Sequence, residues 1–224
     1  MKNNLYLHNL LLYSKLSHSY PFGSCLGPEL SLAFFLFKYS KLMFNHYERT
    51  FDCPSVIVYS HKQLHIYYHI LNQCSNISFL RYIDNTSFDF KYAGNTFTFS
   101  HINDKNILQS YQYNAQKTVP YNGFSFNVTP LESVIAYSIS NYSVFNNLQY
   151  LLDAAVLITI YYAEISTNLI FSSLLQVNVN VKKILKKAIT QIKLLNFDKL
   201  VGFTFGSDLY INRTHEILGY CYEQ

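Results

Sequence analysis

The chain has 224 residues, half of them hydrophobic and 17% aromatic, which excludes a disordered protein and is enough to bury a core without disulfide staples. Only 13% of the residues are charged, and the net charge of +4 does not by itself indicate nucleic-acid binding, which usually needs basic side chains clustered on one face. The sparse charge predicts either poor solubility of the protein alone or a partner that covers part of its surface.

The four cysteines show no C-x-x-C pairing and no metal-ligand spacing with histidine, which favours reduced, mostly buried thiols. The most apolar run, residues 154–163, is bracketed by Asp153 and Glu164 and is too short to cross a bilayer. The N-terminus lacks a convincing signal-peptide cleavage site. We therefore expect a cytoplasmic protein without membrane association.

The first 44 residues predict two helices joined by a loop. Apolar residues near helical spacing indicate an amphipathic helix at 5–17, and the Gly- and Pro-rich residues 19–28 indicate a loop. A second, apolar helix is predicted from Glu29 to about Phe44, with Pro28 at its start.

Residues 47–73 predict a loop, a buried strand and a helix. The β-branched run after Pro54 is typical of an interior strand, which we predict at Val56–Tyr59. Ser60 can cap the helix that follows, and its predicted inward positions are Leu64, Tyr68 and Leu71.

Three histidines of this helix, His61, His65 and His69, have the i, i+4, i+8 spacing that a metal site can use. No carboxylate or cysteine is placed to complete such a site, so we interpret them as an exposed polar stripe and predict no bound metal.

Alternation of polar and aromatic residues predicts antiparallel strands after this helix. They are expected at 78–82, 87–92 and 96–101, with a hairpin turn at Ala93-Gly94-Asn95, and a further strand is expected at 124–128. The polar residues 103–120 are interpreted as a surface excursion.

The remainder predicts helices. Thr129-Pro130-Leu131-Glu132 reads as a capping box that opens a helix to about Ser140. Further helices are predicted at 147–165, 166–175 and 180–195, and a strand pair is predicted around Gly206-Ser207-Asp208. Asp153 is expected in a cleft or paired with Arg81 or Arg49, because an unpaired acid in an apolar helix is costly.

The helix predicted from Asn180 carries lysines opposite its apolar stripe, at Lys182, Lys183, Lys186, Lys187 and Lys193. A solvated face is the interpretation we favour, and contact with phosphate or RNA is the alternative.

This order of elements predicts an α+β fold: a small mixed or antiparallel sheet with flanking helices, followed by a C-terminal helical bundle, with a boundary near Asn127.

Five local motifs support a resemblance. They are RTFDCPSVIV at 49–58, SHKQLHIYYHIL at 60–71, FTFSH at 97–101, VTPLE at 128–132 and LQYLLDA at 148–154. Their order resembles that of nucleotidyltransferase-like proteins of the polymerase-β superfamily, in a bacterial branch of uncharacterised nucleotidyltransferases. The resemblance implies a nucleotidyltransferase-like domain at 1–126 and a helical domain at 127–224.

The chain departs from this family where the chemistry is decisive. Nucleotidyl transfer needs two carboxylates one residue apart on a strand to hold Mg²⁺ against a triphosphate. The matching positions here are Cys53 and Ser55, while Asp52 lies one residue away and projects to the other face. The resemblance gives Asp89 as a candidate third carboxylate. It also gives Gly23-Ser24 as a candidate phosphate-binding loop, although the same dipeptide is common in ordinary turns.

We therefore expect a catalytically inactive nucleotidyltransferase-like protein that needs no cofactor. It would bind a protein partner, with a nucleotide as a further possibility and nucleic acid not expected. One alternative is an active enzyme that uses Asp52 and Asp89 with Mg²⁺ and an NTP. Another is an unrelated protein-interaction module.

Overall fold

The computed structural model describes residues 10–14, 24–39, 55–58, 60–92, 94–101, 118–121, 123–177, 180–195, 197 and 205–224. The chain forms two compact units, one made of Met1–Phe34 with Arg49–Pro130 and one made of Phe35–Glu48 with Leu131–Gln224. The domain boundary at 127 stays a prediction, because a compact unit is not the same thing as an independently folding domain.

The first unit contains a five-stranded mixed sheet. Its strands in chain order are β1 (Ser24–Leu26), β2 (Ser55–Val58), β3 (Ile77–Asp84), β4 (Ser87–Tyr92) and β5 (Asn95–His101). The spatial order is β1-β2-β5-β4-β3, with β2 and β5 parallel and the other pairs antiparallel. A separate hairpin joins β6 (Thr118–Tyr121) to β7 (Phe124–Asn127). The predicted α+β class and mixed sheet are confirmed.

One face of the sheet packs on helix α2 (His61–Asn72). Phe88, Phe90, Phe97 and Phe99 are buried on this face, and the ring of Tyr67 stacks on that of Phe99 with centroids 5.0 Å apart. Ser60 caps α2 by accepting a hydrogen bond from the backbone N–H of Gln63, as predicted. Leu64 and Leu71 are buried as predicted, but Tyr67 is buried in place of the predicted Tyr68. The buried face also includes Gln63, and Tyr67 lies four residues after it on the same side of the helix.

Helix α1 (Pro28–Tyr39) starts at the predicted proline, and the chain passes from one unit to the other within it. Residues 10–14 are helical, in line with the predicted first helix. Two predicted non-strand segments contain strands: β1 falls within the expected loop at 19–28, and β6 overlaps the end of the expected surface excursion.

The second unit is helical over its described residues after 130. Its helices are α3 (Leu131–Phe145), α4 (Leu148–Ile160), α5 (Thr167–Val177), α6 (Val181–Ile192) and α7 (Ser207–Glu223). The strand pair predicted around Gly206-Ser207-Asp208 is wrong, because Gly206 is the N-cap of α7. Helix α4 ends at Ile160, earlier than predicted, and residues 161–164 form a turn. No helix in the described ranges is long and apolar enough to span a membrane.

Helix α3 starts where the capping box predicted, but different bonds hold its start. The Thr129 hydroxyl donates to the carbonyl of Leu26, and the Thr129 N–H, which a capping box would pair with Glu132, donates to the Ser31 hydroxyl at 2.9 Å. The Glu132 carboxylate accepts from the backbone N–H of Ser166. The TPLE signal therefore locates the helix start correctly, while its polar groups serve tertiary contacts.

Candidate functional site

Three polar residues form a row across the middle of the sheet. Ser55 on β2 is the register partner of Thr98 on β5, and Thr98 is the partner of Asp89 on β4. Residues that face each other across neighbouring strands share a face of the sheet. This face is opposite the one that carries the phenylalanine core, because the core residues alternate with Thr98 and Asp89 along their strands. We call these three residues the polar row.

The Asp89 carboxylate is fixed by its neighbour in the row. The Thr98 hydroxyl donates to Asp89 Oδ1 at 2.7 Å, Thr98 is buried and Asp89 is half-buried. Two strand spacings separate Asp89 from Ser55, which corresponds to about 10 Å between their backbones. Asp89 thus lies in the same sheet as Ser55, and β5 separates their two strands.

Ser55 packs against the start of helix α1. The Gly27 N–H donates to the Ser55 carbonyl at 2.7 Å, and a methyl group added at Gly27 would lie 2.3 Å from Ser55 Oγ. The Ser55 side chain therefore occupies the space beside Gly27, one residue before the helix begins at Pro28. Gly27 and Thr98 were not singled out from the sequence, and only the Gly-Pro pair before an apolar helix hints at the first of them.

Ser24 does not belong to the polar row. It is a buried residue of β1, and its register partner Val58 is three residues from Ser55, which puts Ser24 on the face opposite the polar row. Its hydroxyl lies 3.2 Å from Tyr67 Oη and 3.4 Å from Tyr13 Oη, and Tyr13 also donates to the Ser24 carbonyl. The structure therefore does not bring Ser24 and Asp89 together.

Burial controls the chemistry around Ser24. Loss of solvation raises the pKa of Tyr13 well above its ordinary value, with the nearby Cys25 as a smaller cause, and it also raises the pKa of Tyr67. Both hydroxyls therefore stay protonated at neutral pH and act as hydrogen-bonding groups. This arrangement is typical of a structural network that ties α2 to β1.

The other predicted site residues, Asp52, Gly23 and Cys53, lie outside the described residues, as do Pro54 and Arg49. The alternative active site that uses both Asp52 and Asp89 therefore stays a prediction.

The histidines of α2 are exposed, as predicted. His61 Nε2 lies 2.5 Å from the Asn85 carbonyl, and His65 Nδ1 lies 2.7 Å from Tyr82 Oη. The ring of His101, at the end of β5, lies 6.0 Å from that of His61. Among the described residues, no group of three or more His, Cys, Asp or Glu side chains is arranged to hold a metal ion.

Asp153 is fully buried within α4, and its Oδ1 accepts a hydrogen bond from the Gln149 amide at 3.2 Å. The acid is thus buried and hydrogen-bonded, while its predicted position in a cleft and its predicted pairing with Arg81 or Arg49 stay predictions.

No protein-family model matches this chain, and no curated protein matches it. Among solved structures, the crystal structure of JHP933 from Helicobacter pylori is similar, with a TM-score of 0.46 and 10% sequence identity over 96% of this chain and 90% of that one. This similarity is too low to assign a function.

Proposed function

We propose that this protein is a nucleotidyltransferase-like protein without nucleotidyl-transfer activity, which acts by binding a protein partner or a nucleotide. The observation that carries the proposal is the polar row. The resemblance assigns a carboxylate to the position of Ser55, and this position opens a sheet strand in a row that ends at Asp89. The row therefore offers two hydroxyls and a single carboxylate.

The chemistry of the row supports inactivity. Two-metal nucleotidyl transfer relies on closely paired carboxylates, whose charge binds Mg²⁺ and thereby stabilises the transferred phosphoryl group. A serine hydroxyl is neutral and binds Mg²⁺ far more weakly than a carboxylate does. With serine at position 55 and cysteine at position 53, the carboxylates that remain for such a site are those of Asp89 and Asp52.

Exposed apolar side chains on β3 support a protein partner. This strand lies at the edge of the sheet and exposes 40% of Phe79 and 52% of Ile83, and Tyr82 is also exposed. Apolar side chains on an unpaired edge favour association with another chain. The proposal keeps the cytoplasmic location expected from the sequence.

The test restores the missing charge. We expect the purified protein to transfer no nucleotide from any Mg²⁺–NTP, and we expect the C53D/S55D variant to gain Mg²⁺ binding in titration calorimetry. The matched control is C53N/S55N, which has nearly the same side-chain volume but no added charge. A heat of Mg²⁺ binding in the aspartate variant alone supports the register, whereas two silent variants favour the unrelated interaction module.

The half-buried Asp89 on the same face as Ser55 favours one alternative, an active enzyme that uses Asp52 and Asp89 with Mg²⁺ and an NTP. It predicts measurable transfer by the unmodified protein. It also predicts that D52N and D89N each abolish this transfer while the fold, followed by circular dichroism, is retained.

A further inference from the structure

Positive charge is concentrated on the solvent-facing side of α6. Five of the chain's 17 basic residues lie between positions 182 and 193, a segment without an acidic residue: Lys182, Lys183, Lys186, Lys187 and Lys193. One side of the helix is buried within the second unit, so the lysines on its other side face outward. The buried residues are Val181, Ile184, Leu185, Ala188 and Ile192. Four are exposed and Lys187 is half-buried. We call these five residues the lysine stripe.

The lysine stripe is not neutralised within the part of the chain that the structure describes. Among the described residues, no carboxylate lies within salt-bridge distance of any of its five ammonium groups, and two of the groups lie over aromatic rings instead. Lys187 Nζ is 4.9 Å from the ring centre of Tyr142, and Lys182 Nζ is 5.8 Å from that of Tyr222. Uncompensated like charges repel one another, and a polyanion relieves this repulsion.

The geometry points to a chain-like polyanion. Lysines four residues apart are about 6 Å apart along the helix axis, and the stripe is about 16 Å long at 1.5 Å per residue. Tyr222, which is 38% exposed, places an aromatic ring beside one end of the stripe. Basic side chains that follow a backbone, together with an aromatic ring on which a base can stack, are what single-stranded nucleic acid requires.

We propose that the lysine stripe and Tyr222 bind single-stranded nucleic acid. From the sequence, a solvated face is the favoured interpretation of these lysines and contact with phosphate or RNA is the alternative. The structure places the lysines on one exposed face of the helix, which is the condition that such binding needs. An anionic membrane fits less well, because the apolar residues of α6 are buried and cannot insert between lipids. The inference does not depend on the proposed function of the polar row.

The test measures binding of labelled U20 and dT20 oligonucleotides by fluorescence anisotropy between 0.05 and 0.5 M salt. The variant K183Q/K186Q removes two charges that contact no ring. Its matched control is K62Q/K91Q, which removes the same net charge from exposed lysines of the first unit. Loss of two phosphate contacts lowers the salt slope by about 1.4, which corresponds to about 20-fold weaker binding at 0.1 M salt. We expect this loss for the stripe variant and less than about a third of it for the control.

A second pair of variants tests the ring. Tyr222→Ala should weaken binding about tenfold, whereas Tyr222→Phe, which keeps the stacking surface, should leave binding near that of the unmodified protein. Binding to either oligonucleotide supports the proposal if the stripe variant weakens it more than the control variant does, and a preference between the two oligonucleotides identifies the sugar.

Three results would overturn the proposal. They are no binding of either oligonucleotide at 0.05 M salt, equal losses in the two double lysine variants, and binding only to anionic phosphatidylserine vesicles.

Discussion

Gly27 controls how closely two chain segments approach. Its N–H donates to the Ser55 carbonyl, and a Cβ at this position would lie 2.3 Å from Ser55 Oγ and 2.6 Å from the Ser55 carbonyl oxygen. The second clash involves backbone that belongs to a sheet strand, so a rotamer change cannot remove it. Glycine is required here by the lack of space and not by an unusual backbone conformation.

We predict that Gly27→Ala lowers the free energy of unfolding by about 2 kcal/mol, since overpacking forces the start of α1 away from β2. Gly219→Ala is the matched control, because a methyl group there meets no atom within 4 Å and alanine is the better helix former inside α7. The control should raise stability by about 0.5 to 1 kcal/mol.

Urea unfolding followed by circular dichroism measures both changes. The double variant G27A/S55A should recover part of the loss, because it removes the hydroxyl clash but leaves the carbonyl clash. A Gly27→Ala protein as stable as the unmodified one would contradict the close approach of α1 and β2.

At the scale of elements, helix α2 is held on the sheet by one buried hydroxyl as well as by ring stacking. The Tyr67 hydroxyl accepts from Gln63 Nε2 at 2.9 Å and lies 3.2 Å from Ser24 Oγ. Gln63 Oε1 is buried and has no hydrogen-bond partner in the described structure. Removing another hydrogen-bonding group from this network would therefore leave a further buried polar atom without a partner.

We predict that Tyr67→Phe destabilises the protein by about 1 to 2 kcal/mol, because it keeps the stack on Phe99 but leaves the Gln63 amide and the Ser24 hydroxyl poorly paired. Tyr68→Phe changes the neighbouring, half-buried ring, whose hydroxyl makes no hydrogen bond within the described residues, and should change stability by less than about 0.5 kcal/mol. Urea unfolding midpoints of the two variants make the comparison. Equal losses in both would show that ring packing, and not the hydroxyl network, holds α2.

Elements with strong local periodicity could be predicted, and those defined by distant partners could not. Strands β4 and β5 follow the alternation of their phenylalanines. Strand β1 was missed because Ser24–Leu26 lies among turn-forming residues and becomes a strand only by pairing with β2, about 30 residues later. Helix α7 was missed because its buried face includes Tyr210 and Thr214, which hide the apolar period that Ile217, Leu218 and Cys221 complete.

The candidate site shows the same division. Local sequence placed Ser55 at the start of a strand and Asp89 on another, but it contained no information that β5 inserts between β2 and β4. It also could not show that Ser24 faces the opposite side of the sheet. Strand order and face depend on long-range register, which a single sequence does not encode in any local motif.

At the scale of the whole molecule, both units bury ionisable groups, among them four tyrosines and one cysteine. Desolvation is the main cause that raises the pKa of Tyr13, Tyr67, Tyr161 and Tyr210 above the ordinary tyrosine value, and it raises the pKa of the Cys221 thiol to about 12. All five groups are buried in the protonated form. Because such groups occur in both units, we expect the stability of each unit to depend on pH in the same direction.

The sign of this dependence follows from proton binding. In the unfolded chain these groups ionise near their ordinary pKa values, about 8.5 for cysteine and about 10 for tyrosine, while the folded protein retains their protons. Above those values the unfolded state binds fewer protons, so stability falls as pH rises. The stabilisation is complete below about pH 8.5 and is lost toward the raised pKa values of the folded state, at up to about 1.4 kcal/mol per pH unit for each group.

We therefore predict that ionisation of these groups has little effect on the free energy of unfolding up to about pH 8.5. The free energy of unfolding should then fall steeply between about pH 10 and 12, measured by urea unfolding at a series of pH values. Tyr161→Phe separates ionisation from packing. At pH 8 the variant should be less stable by about 1 kcal/mol, since Tyr161 donates to the Phe35 carbonyl at 2.7 Å. Near pH 11 the difference should shrink or reverse, because phenylalanine has no proton to lose. A difference that stays constant from pH 8 to pH 11 would show that Tyr161 takes no part in the alkaline loss.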